Sequence, residues 1–154
     1  MSVIREKASW EVEFEKKFSL PTQPSSVIPD IPLTLDDLTD SQLMETYAEF
    51  VSWQSYTKGV LVSAEIEEDR LSRVVNLMEV KALIDQWEKR TKGDQVTITK
   101  ARRDASPLVQ EAVEEYQAAR AYRKLVEVMY DKCDKGATVL SRELSRRIGL
   151  RQKA

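Results

Sequence analysis

Two long stretches of helix-compatible sequence, Gln42 to about Lys92 and Pro107 to about Leu150, leave this chain little choice of architecture. Between them Thr91-Lys-Gly-Asp94 reads as a turn. In the second stretch Val109, Ala112, Tyr116, Ala119, Arg123, Val126, Tyr130, Cys133, Ala137, Leu140 and Leu144 follow one another at steps of three and four. That spacing is a heptad seam held for about five repeats, and only Arg123 breaks it. The first stretch carries Leu61, Ala64, Leu71, Val75, Met78 and Ala82 in the same manner, interrupted by Glu68. The fold predicted is all-α: a long antiparallel helical hairpin over residues 39–150, closed by a coiled-coil-like seam.

The starts of both helices are written locally. Thr39-Asp-Ser-Gln42 is a capping box, in which the threonine and glutamine satisfy each other's exposed amides. Ser106 and Pro107 make an N-cap followed by a residue whose missing N–H costs nothing at a first helical position. The connection holds Gln95-Val-Thr-Ile-Thr99, whose alternation is strand-like but too short to stand alone.

Early in the first helix Tyr47, Phe50, Trp53 and Tyr56 recur every three residues, a spacing that sweeps around the helix. One hairpin partner cannot cover all four rings. They call for burial by a third helix or by another subunit, or stay partly exposed, and Tyr47, Phe50 and Trp53 with Tyr116, Tyr130, Leu140 and Leu144 are the candidate contacts of a homo-oligomer. Upstream, four of the five prolines crowd residues 19–38, which read as a linker. Residues 1–18 before it form a short amphipathic helix, with Trp10, Phe14 and Phe18 recurring every four residues. Such a helix either folds back on the body or offers its aromatic face to a partner's groove.

Composition excludes much chemistry. The chain has no histidine, so no common catalytic triad can be assembled, and its single cysteine cannot supply a zinc ligand set. The four glycines are scattered, so no phosphate-binding loop is present. The run Glu65-Ile-Glu-Glu-Asp69 reads as a solvated helix face. No catalytic residue, metal or cofactor is expected. Cys133 falls on the seam and reads as a small buried hydrophobe. No apolar stretch approaches the roughly 20 residues that cross a bilayer, and no secretory signal opens the chain, so a cytoplasmic protein is expected.

Charge is divided unevenly along the sequence. Residues 1–40 hold four basic and eight acidic side chains, a balance of -4, whereas residues 93–154 hold thirteen basic and nine acidic, a balance of +4. Lys132, Lys135, Arg142 and Arg146 fall within a narrow arc nearly opposite the seam, with Arg147 at its edge. Lys100, Arg102 and Arg103 form a second basic cluster before the helix. Surfaces of this kind attract phosphates through screened charge and counterion release. Cations at a helix C-terminus also complement the helix dipole without any ligand.

Tyr47-Ala-Glu-Phe-Val-Ser-Trp53, Leu61-Val-Ser-Ala-Glu65, Ala121-Tyr-Arg-Lys-Leu-Val126 and Leu140-Ser-Arg-Glu-Leu-Ser-Arg-Arg147 resemble segments of small helical proteins of tailed bacteriophages. The layout from Asp40 to Ile148 is similar to phage recombination mediators of the UvsY type. The resemblance implies an oligomer that binds single-stranded DNA and helps load a recombinase, or works with another phage protein, in the host cytoplasm. The basic residues above are the positions to which DNA contact transfers. The acidic run from Glu65 departs from that pattern on the first helix. The alternative reading is a structural or adaptor protein that assembles through coiled-coil contacts and touches no nucleic acid.

Overall fold

A computed structural model describes residues 12, 13, 16–18, 21–89, 91, 93 and 95–153. Among these the chain is all-α, with α1 at Asp40–Glu88, α2 at Val96–Asp104 and α3 at Pro107–Arg151. The two long helices pack against each other as an antiparallel hairpin. The chain divides into two compact units, one of Met1–Gly59 with Tyr130–Ala154 and one of Val60–Met129. Both long helices pass through both units, so the division falls inside the hairpin instead of at the proline-rich segment.

Helix starts follow the local chemistry. The Thr39 amide donates to Gln42 Oε1 at 2.9 Å and the Gln42 amide donates back to Thr39 Oγ1 at 3.2 Å, which is the capping box closed in both directions. At α3 the Gln110 amide reaches the Ser106 carbonyl at 3.0 Å. Between α1 and α2 Gly93 takes φ 131°, a region in which a side chain would be strained.

In the first unit Leu43, Phe50, Ala137 and Leu140 form the core cluster, and Ile31, Leu35, Leu38, Tyr47, Val51 and Leu144 pack against it. Complete burial of Phe50 alone stabilises the fold by roughly 1.5–3 kcal/mol. The segment expected to be a linker lies over this cluster through Ile31, Leu35 and Leu38. Trp53 Nε1 donates to Ser25 Oγ at 3.1 Å, and the Trp53 ring meets Tyr56 edge-on with centroids 5.7 Å apart.

Close packing in this unit depends on Gly136. A Cβ there would stand 2.3 Å from Phe50 Cε1, so the glycine lets the ring lie on the helix backbone. Cys133 is buried beside it and its thiol pKa is pushed up by burial, as expected of an inert core thiol.

In the second unit Leu61, Ala64 and Leu71 of α1 and Val109, Ala112 and Val126 of α3 are buried. Glu68 and Arg123, the two residues that interrupt the seams, are partners. Arg123 donates through Nε to Glu68 in a part-buried pair and through Nη1 to the exposed Glu127 at 2.8 Å. Residues 95–99, read as strand-like, instead lead into and open α2. With no strand to pair with among the described residues, the β-branched residues lose only a few tenths of a kcal/mol each in a helix, and Thr99 is buried in that turn.

Candidate functional site

The basic residues of late α3 all lie in the first unit, and the structure separates them by what they face. Lys132 donates to Asp30 at 2.6 Å. Arg146 binds Asp36 and Glu143, each at 2.7 Å. Arg147 is no longer an edge residue. Its guanidinium holds Glu143 Oε1 at 2.8 Å, Asp40 Oδ1 at 2.9 Å and the carbonyls of Leu35 and Leu38 at 2.7 Å. Arg151 pairs with Asp40 as well.

These contacts spend the acidic head of the sequence on its basic tail. Asp30, Asp36 and Asp40 are spaced so that the segment before α1 runs along late α3, and the two bound carbonyls fix its backbone. Glu143 is held down to a pKa of about 2 by Arg146 and then Arg147, and Asp40 is lowered chiefly by its hydrogen bond from Arg147. Lys135 and Arg142 differ. Both are exposed and make no ion pair among the described residues, and their spacing of seven places them on one side of α3.

The second basic cluster lies in the other unit, on α2. Lys100 and Arg102 are exposed, whereas Arg103 is turned to Asp104 at 2.6 Å. Of the residues assigned to a partner groove, Trp10 and Phe14 lie outside the described residues, and Phe18 is exposed. Of those assigned to subunit contacts, Phe50, Trp53 and Leu140 are buried within the first unit, with Tyr47, Tyr130 and Leu144 partly buried there and Tyr116 partly buried in the second.

A periodic exposed apolar row lies in the second unit. Val62, Ile66, Leu77, Val80 and Ile84 of α1 are between 40% and 54% exposed. At roughly 100° per residue they share an arc of about 60°, opposite the face of Leu61, Ala64 and Leu71 that is buried against α3. On α3 Tyr122, Leu125 and Met129 make a second exposed apolar row at steps of three and four. Sequence reading followed only the seam that closes the hairpin and missed these rows. The signal was present, because α1 carries apolar residues at helical period on two opposite faces, the pattern of a helix covered on both sides.

Two open depressions of the second unit are lined by Glu79, Asp104, Val109, Gln110, Val113 and Glu114, and by Glu65, Glu68, Asp69, Ser72, Tyr116 and Arg123. Among the described residues no group of three or more cysteine or carboxylate side chains is placed to hold a metal ion, and no helix is long and apolar enough to cross a membrane. No protein-family model, curated protein or solved structure matches the chain. Function must be read from the surfaces alone.

Proposed function

We propose that the chain is a non-enzymatic assembly protein whose work is helix-to-helix association through the outer faces of its second unit. The observation that carries this reading is α1 itself, apolar on two opposite sides with only one side covered by α3. Contiguous exposed apolar rows of this kind mark protein contact. The test is light scattering of the purified protein at micromolar concentration, with Leu77 and Ile84 changed together to serine. Association in the parent and its loss in the variant, with helical circular dichroism retained, is the expected result. A parent that is a monodisperse monomer overturns the reading.

A second reading is favoured by Lys135 and Arg142, which make no ion pair among the described residues and share one side of α3. In it the protein is a phage mediator-like factor of the host cytoplasm that binds single-stranded DNA and cooperates with a recombinase. Assembly would repeat the two cations around an oligomer and raise a weak phosphate affinity. A mobility shift with a single-stranded oligonucleotide at low salt tests it. The shift should be lost when Lys135 and Arg142 become glutamine, and should weaken linearly in the logarithm of salt concentration. No shift in the parent rejects this reading and leaves the first untouched.

A further inference from the structure

Among the exposed apolar residues of α1 stand two opposite charges. Asp69 and Arg73 lie between Ile66 and Leu77, in the same arc once it is widened to about 80°. They pair with each other along the helix at 2.7 Å and remain 63% and 79% exposed. Isolated in water, an i,i+4 pair of this sort contributes little. Its position matters more than its strength, because it sits near the middle of the row.

We propose that the outer face of α1 in the second unit is the contact for a second copy of this chain, docked antiparallel about a two-fold axis that passes beside residue 71. This rests on the association reading above and names its partner and register. In an antiparallel pair, residues that face one another have numbers with a constant sum. Placing Asp69 against Arg73 of the second copy sets that sum, and the same register brings Val62 against Val80 and Ile66 to within one residue of Leu77, about 1.5 Å along the axis. The charged centre and the apolar flanks thus match under one operation. A parallel pair instead sets Asp69 beside Asp69 and Arg73 beside Arg73. The row is self-complementary in one orientation only, which is what an isologous interface requires.

Two Asp69 and two Arg73 side chains then form one four-charge cluster, each arginine shared between its own helix and the other copy. A polar pair in the middle of an apolar helix contact sets register and partner number at some cost in affinity. The partner is therefore chosen by charge and held by Val62, Ile66, Leu77 and Val80.

The test combines charge reversal with cross-linking. Asp69→Arg, or Arg73→Asp, sets like charges face to face and should weaken dimerisation about tenfold or more. The double reversal D69R/R73D should restore it. Separately, a variant carrying both Val62→Cys and Val80→Cys should give a covalent dimer with a short bismaleimide. Val62→Cys alone should not, because its two copies stand about 27 Å apart along the axis at 1.5 Å per residue. An oligomer indifferent to both reversals, or one cross-linked by V62C alone, overturns this register while the association reading stands. A parent that is monomeric at micromolar concentration overturns both. The cysteine variants leave Asp69 and Arg73 intact, so the register is tested even if a charge reversal unfolds.

Discussion

Replacing glycine by alanine in a helix ordinarily stabilises a protein by about 1 kcal/mol, since glycine gives up the most backbone freedom on folding. Gly136→Ala should do the reverse. The new methyl would stand 2.3, 2.5 and 2.9 Å from Phe50 Cε1, Cδ1 and Cζ, against an optimal carbon separation of about 3.5–4.0 Å. The ring must retreat by an ångström or more, and it has no room, being fully buried in the cluster with Leu43, Ala137 and Leu140. Overpacking of this kind costs about 1–3 kcal/mol, so the net change is a loss of roughly 0–2 kcal/mol. Gly59→Ala is the internal control, because it too is helical and nothing lies within 4 Å of its new Cβ. It should gain about 1 kcal/mol. Urea unfolding of the two variants, analysed side by side, should therefore separate them by about 1–3 kcal/mol. If G136A gains stability as much as G59A, the close approach of Phe50 to α3 is refuted. Phe50→Leu should recover part of the loss in G136A, which a double-mutant cycle would report as coupling.

Two further outcomes follow from the first unit. Glu143 has its folded pKa depressed from 4.5 to about 2, so its contribution is present in full above pH 4.5 and is lost as pH falls toward 2; Glu143→Gln should flatten the acid limb of the urea midpoint in that window and leave its slope at neutral pH unchanged. Removing residues 1–38 takes away the half-buried Ile31, Leu35 and Leu38. That loss is roughly 2–4 kcal/mol, or a fall of about 5–15 °C, measured by circular dichroism.

What could be read from sequence was whatever repeats or acts locally. The seam of α3 is such a case, for each of its eleven positions from Val109 to Leu144 is buried or partly buried. The Thr39 capping box is another, its two partners being three residues apart. Illegible were the pairings between distant parts of the chain, 55 to 112 residues apart. Arg147 looks like one more terminal cation until Leu35 and Leu38 supply carbonyls 112 and 109 residues earlier. Glu68 and Arg123 each look like a defect in a separate helix, and only their meeting explains both. Residues 95–99 misled for a different reason. Their alternation is a strand pattern, but a strand needs a partner, and only the tertiary fold decides whether one exists.

The clamp made by Arg147 also sets an order of events during synthesis. Asp40 leaves the ribosome 107 residues before the arginine that will hold it. At about 5–20 residues per second, that gap lasts roughly 5–20 s. Throughout it Leu43 and Phe50 lack Ala137 and Leu140, the α3 half of their cluster. The nascent chain therefore presents Leu43 and Phe50 without their α3 partners for longer than a helix needs to form by many orders of magnitude. A chaperone that binds aromatic helical segments has its best opportunity on this protein before the second long helix emerges.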